Sequence, residues 1–113
     1  MDLVVTRESG YVVAKTSGAI DESAGETFRS QLHPVLAEPG TKLIVDLSGS
    51  TYLNSTGLGY LVSLVAYANT KSSHAIFCAP TPHVAGVFAV TKLDKYFDIA
   101  PTLSEAIARV TDS

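Results

Sequence analysis

The sequence predicts an α/β domain built on a mostly parallel mixed sheet with an antiparallel N-terminal edge strand and about four helices, in the order ββαβαβαβα. Three observations carry that expectation. Two β-rich runs, Leu3–Val5 and Tyr11–Val13, flank the turn pair Ser9–Gly10, as in a tight hairpin. Leu43, Ile44 and Val45 form a short unbroken apolar run, the pattern of a strand buried on both faces. Beyond the hairpin, strand-like runs alternate with segments of helical periodicity, which calls for parallel strands joined by right-handed crossovers.

Size and composition agree with one domain spanning residues 1–113. A chain of 113 residues buries roughly 65% of its unfolded surface without help from metal or disulfide. No apolar run approaches the ~18–20 residues of a membrane span, so no membrane insertion is expected. Asp2, Arg7 and Glu8 interrupt any apolar leader at the start. The single cysteine, Cys78, has no internal partner, and together with the absent export signal it points to a cytoplasmic setting. Net charge is −3 with eight scattered basic residues, which argues against a nucleic-acid surface.

Each element has its own warrant. The hairpin strands cover about Leu3–Arg7 and Tyr11–Ser17, with Gly10 supplying the positive φ of the turn. Ser23 and Glu26 have capping-box spacing, and Ala24, Phe28, Leu32 and Val35 recur at helical spacing, giving a first helix from about Glu22 to Ala37. Pro34 should kink or shorten it, because its ring removes a backbone donor. The central strand ends at Asp46, and Leu47–Leu53 reads as a crossing loop. A helix follows from Ser55 to about Lys71. His74–Ala79 is a further strand, Thr81–Pro82 opens a short helix that fades by Leu93, and Tyr96–Ala100 is the last strand. Thr102 and Glu105 form another capping box, ahead of a terminal helix with the stripe Leu103, Ala106, Ile107 and Val110.

The chemistry concentrates where the central strand, its loop and the next helix converge. Asn54, Ser55 and Thr56 can each cap a helix by accepting a bond from an orphan amide. Gly57 and Gly59 follow, giving room for close packing and a flexible helix start. On the helical wheel Leu58, Leu61, Val62, Val65 and Ala68 share the face that meets the sheet. Tyr60, Leu64 and Tyr67 stand nearly opposite, with Lys71 closing the row. This second stripe is expected to be partly exposed, as a partner surface; the other reading is that a helix or loop covers it. Ser55 has two readings as well, a helix cap or a phosphorylation site. A phosphate carries about −1.5 to −2 charges, which the helix N-terminus would tolerate while a docked partner would not.

The stretch DLSGSTYLNSTGLG (Asp46–Gly59) resembles the signature of STAS domains, in particular the bacterial anti-sigma factor antagonists. In these an aspartate-ended strand leads through a loop to a helix start Asp-Ser-(Ser/Thr)-Gly-(Ile/Leu)-Gly. SGAID (Ser17–Asp21) is similar to the segment before the family's first helix, and TKLDKYFDIAPTLSEAIARV (Thr91–Val110) to its usual ending. The three pieces, in order and at the right separations, extend the resemblance over nearly the whole chain. It implies the STAS fold and a partner-switching function. Such a protein, unphosphorylated, binds an anti-sigma factor that is also an ATP-using serine kinase, and so frees a sigma factor. Phosphorylation of the serine matching Ser55 releases it, and a metal-dependent serine phosphatase resets it. The resemblance makes the chain a substrate that catalyses nothing, its partners supplying the nucleotide and metal chemistry, so no cofactor or metal is expected. The motif residues Asn54, Ser55, Thr56 and Gly57 with Asp21, joined by Tyr60, Leu64 and Tyr67 from the second stripe of the helix, are the expected partner-binding residues.

Two positions depart from the family pattern. Asn54 stands where aspartate is usual, keeping a cap but removing a negative charge beside the acceptor hydroxyl. Lys92 stands where glycine is common, implying a local difference in that loop. Thr56 is a second candidate acceptor, although the register favours Ser55. Asp21 matches a position near the acceptor where it would help to place the kinase; its plain alternative is an acidic residue before a helix.

Competing chemistry finds little support. A nucleophilic Ser55 would need a base and oxyanion donors, and Leu53–Gly57 is not a nucleophile elbow. His33, His74 and His83 lack metal-ligand spacing, and Gly57 and Gly59 do not form a phosphate loop. The rival that remains is a STAS scaffold, or an accessory subunit of a sensory or transport complex, in which Ser55 only caps its helix.

Overall fold

The computed structural model describes residues 1–111. Strands β1 (Asp2–Arg7) and β2 (Val12–Ser17) form the antiparallel hairpin, closed by a bond from the Glu8 amide to the Tyr11 carbonyl with Gly10 at φ +90°. Strand β3 is Lys42–Gly49, β4 is His74–Cys78 and β5 is Asp98–Ala100. The sheet order is β1-β2-β3-β4-β5, with every pair after the hairpin parallel. Helix α1 occupies residues 24–37, α2 is Ser55–Thr70, α3 is Pro82–Val90 and α4 is Leu103–Thr111. The expected architecture is the one found.

Topology dictates the layers. The sheet grows in one direction, so right-handed crossovers place every connecting helix on the same face. That face holds the larger core, in which Leu43, Val45 and Leu47 of β3 meet Phe28 and Leu32 of α1, Leu61 and Leu64 of α2, and Val84 and Phe88 of α3. Only α4 follows the last strand, and it turns back over the other face. There Ala106 and Val110 cover Ile44, Ile76, Cys78 and Ala100. The alternation of β3 between the two cores is why its apolar run is unbroken.

Several local expectations need correction. Strand β3 continues past Asp46 to Gly49, because β2 still pairs alongside it as far as Ser17↔Gly49. The Ser23–Glu26 capping box does not form. Ser23 is already helical in its backbone, and Asp21 accepts its amide at 3.0 Å and its hydroxyl at 2.7 Å, while Glu26 pairs with Arg29 at 3.0 Å. Pro34 neither ends nor simply bends α1. The helix widens to a π turn over Phe28–Leu32, with the His33 amide bonded to the Phe28 carbonyl, and resumes as His33–Ala37. The wider turn accommodates a ring that has no hydrogen to donate. Lys92 adopts the left-handed conformation, φ +62°, which a glycine enters without strain.

Candidate functional site

The site lies at the carboxyl end of β3, where two loops are fastened together. Thr16 Oγ1 lies 2.7 Å from Ser50 Oγ, and Thr81 Oγ1 donates to the Ser50 carbonyl at 2.7 Å. Ile20 and Leu53 form an isolated parallel bridge, with the Ile20 amide bonded to the Tyr52 carbonyl at 3.0 Å. This brings the lead-in to α1, carrying Asp21 and Glu22, against the lead-in to α2, carrying Asn54 and Ser55. Gly57 is what permits the approach. A Cβ there would lie inside the envelope of the Ile20 carbonyl, so no larger side chain fits without moving the loop.

Asn54 is the N-cap of α2. Its backbone is extended, its Oδ1 accepts the Gly57 amide at 2.9 Å, and its carbonyl accepts the Leu58 amide at 2.8 Å. The cap being Asn54, Ser55 is released from that role: it is the first residue of the helix, exposed, and its hydroxyl makes no hydrogen bond among the described residues. Thr56 is exposed beside it. The other end of the Asn54 amide, Nδ2, donates to Glu22 Oε1 at 2.9 Å. Hydrogen bonds from the Ser23 hydroxyl, then from the Ser23 amide, hold the Asp21 carboxyl below the usual value of 3.8, so it is ionised at neutral pH.

The apolar stripe opposite the sheet is where the structure overturns expectation. Leu64 is fully buried and belongs to the core, so it contributes nothing to an exposed partner surface. Tyr60 and Tyr67 are half-buried. The Tyr60 ring meets the edge of Phe28 with centroids 6.4 Å apart, its hydroxyl donates to the Glu22 carbonyl at 3.4 Å, and it fills the space above Gly25. The ring of Tyr67 lies 4.7 Å from that of His33, with Lys71 Nζ 5.6 Å from its centroid. The cause is topological: α1 and α2 share one face of the sheet, so the second stripe of α2 is the seam between them.

The face of α2 left to solvent is a third one. Ser55, Gly59, Ser63, Ala66 and Thr70 are all exposed, at the three- and four-residue spacings of one helical row. Gly59 opens onto free space, with nothing within 4 Å of a Cβ built there, and does not serve packing. The sequence carries this row as small side chains at helical spacing, which a search for apolar stripes does not register. The bond of Glu22 to Asn54 has no local sequence signal, because its partner lies 32 positions away. On the other side of the loop the exposed ring of Tyr52 stacks on His83, whose Nε2 lies 3.3 Å from the Leu53 carbonyl.

Comparison with known proteins extends these observations. The STAS-domain family model matches residues 2–106. An anti-sigma F factor antagonist from Lysinibacillus sphaericus is 28% identical over 108 residues, covering 95% of this chain and 90% of its own length. Among solved structures, an anti-sigma factor antagonist from Mycobacterium paratuberculosis superposes with a TM-score of 0.84 at 27% identity, covering 97% of this chain and 93% of its own. SpoIIAA, an anti-sigma factor antagonist in its unphosphorylated form, gives 0.79 at 21% identity, with 99% and 98% covered.

Proposed function

This chain belongs to the STAS-domain family, and from that premise we propose that it is an anti-sigma factor antagonist whose binding is switched by phosphorylation of Ser55. Unphosphorylated, it holds an anti-sigma serine kinase and frees a sigma factor. The kinase then passes the terminal phosphoryl group of its ATP to Ser55. The serine oxygen bonds to phosphorus, the bond to ADP breaks, and the hydroxyl proton goes to a base on the kinase. The modified chain lets go, and a metal-dependent serine phosphatase restores the hydroxyl. The chain is the substrate in both reactions, and its partners supply the nucleotide and the metal.

The observation that carries this reading is the division of labour between Asn54 and Ser55. Because Asn54 caps the helix, the neighbouring hydroxyl is exposed and free for chemistry. Asp21, ionised on the adjoining lead-in to α1, supplies a charge by which a kinase could be placed. The docking surface in this reading is the exposed row of α2 with the rims of Tyr60 and Tyr67; Leu64 has no part in it.

Mass spectrometry after incubation with the cognate kinase and ATP tests the proposal. One phosphate on the wild type and none on Ser55→Ala is the expected result. A phosphate on Ser55→Ala would move the acceptor to Thr56 or elsewhere. A wild type that never takes up phosphate would leave the scaffold or accessory-subunit role in its place.

A further inference from the structure

A phosphate on Ser55 would meet, one residue back along the chain, a side-chain amide that already holds a carboxylate. Asn54 uses its two ends differently. Its oxygen is committed to the helix cap, accepting the Gly57 amide, and its nitrogen donates to Glu22 at 2.9 Å. Glu22 is held a second time through its carbonyl, by the Tyr60 hydroxyl. The approach to α1 is thereby tied to the first turns of α2 by two side-chain bonds, both at the surface. A phosphoserine brings about −1.5 to −2 charges and three strong acceptor oxygens. Its oxygens are strong acceptors for the Asn54 amide hydrogens, and its charge would repel the Glu22 carboxylate that one of those hydrogens now holds.

We propose that phosphorylation of Ser55 makes Asn54 change partners: its Nδ2–H leaves the Glu22 carboxylate for a phosphoryl oxygen, while its Oδ1 stays on the Gly57 amide. The exchange rests on Ser55 being the modified residue, and it involves no covalent step beyond that modification. The cap survives, so the helix stays intact. One of the two side-chain ties between the loop and α2 is lost, and the freed Glu22 carboxylate is driven away from the phosphate. The phosphate thus acts twice, by its own charge and by relocating another. An aspartate at position 54 could cap the helix but has no hydrogen to donate, so the exchange requires the amide found here.

Phosphoserine can be built into position 55 during synthesis, by stop-codon suppression, so that no kinase is needed. The signals to follow are the side-chain amide protons of Asn54, recorded by NMR with and without Glu22→Ala. In the unmodified protein Glu22→Ala should move this pair upfield, because its carboxylate acceptor is gone. In the phosphoserine protein the pair should lie further downfield and no longer respond to Glu22→Ala. An equal displacement by Glu22→Ala in both forms would overturn the exchange. So would a shift of the Gly57 backbone amide on phosphorylation large enough to show that the cap has opened. A kinase that ignores Ser55 would sink the functional reading and leave this result standing. An Asn54 amide indifferent to the phosphate would sink the exchange and leave the functional reading standing.

Discussion

A hydroxyl at the first position of a helix can carry a phosphate without harm to the helix, because the unpaired amides and the dipole there favour negative charge. Ser55 occupies that position with its cap supplied by the residue before it. Ser55→Asp is therefore expected to keep the circular-dichroism spectrum of the wild type. It should weaken kinase binding by more than ~1.4 kcal/mol, a tenfold effect, whereas Ser55→Ala should bind constitutively. Equal affinities for the two variants, measured by calorimetry, would count against the switch. Asp21 offers a second test. Its carboxyl is held below the ordinary range first by the Ser23 hydroxyl and then by the Ser23 amide. A depressed carboxyl favours the folded state above its unfolded value of 3.8, and that contribution is lost as pH falls through the lower folded value. Ser23→Ala should therefore raise the Asp21 midpoint toward 3.8 in a carboxyl-carbon NMR titration. An unmoved midpoint would mean that the hydroxyl is not what holds it.

At the scale of the element, α2 combines a glycine that is needed with one that is not. Gly57 lies against the Ile20 carbonyl, while Gly59 faces open space in a helix interior. Alanine at an exposed helical glycine gains roughly 0.5–1 kcal/mol, so Gly59→Ala should raise the urea midpoint. If the small-residue row is the docking face, the same change should weaken kinase binding, giving a protein that is more stable and less active. Undiminished binding would place the partner elsewhere. The turn after α3 predicts the opposite sort of gain. Lys92 sits at φ +62°, a conformation costing a side-chain-bearing residue about 1 kcal/mol. Lys92→Gly should recover much of that in urea denaturation, and a loss of stability instead would show that the lysine side chain makes a compensating contact. The sequence showed that a helix begins at Ser55, since Asn54, Ser55 and Thr56 are all capping residues, yet only coordinates could choose Asn54 among them. Likewise Ser23 and Glu26 satisfied a capping pattern that Asp21 forestalled from outside it. Local patterns name candidates, and the geometry of neighbouring residues decides between them.

Across the whole molecule, element order and strand direction were legible because periodicity and turn residues encode them directly. The burial of Leu64 was not, since it depends on which helices share a face. A helix on an isolated flank could leave its second stripe open, but with α1 beside it that stripe becomes core. The same layering leaves the other face of the sheet to a single short helix. Ile44, Ile76 and Cys78 lie there beneath α4, and burial, then the charge of Asp46, pushes the Cys78 thiol up to about 12.

Because strand order in space repeats strand order in the chain, each strand leaving the ribosome finds its neighbour already made. The sheet can therefore zip up vectorially, with little long-range search. The face under α4 is the exception, for its cover emerges after all the strands it protects. Until then a strip of branched aliphatic side chains stands open to other nascent chains. Ribosome-stalled chains with a C-terminal linker just long enough to bring Pro101 clear of the exit tunnel should accordingly react with a thiol reagent at Cys78 and bind chaperones, while chains with α4 clear of the tunnel as well should do neither. Equal labelling at the two lengths would show that the strip closes without its helix.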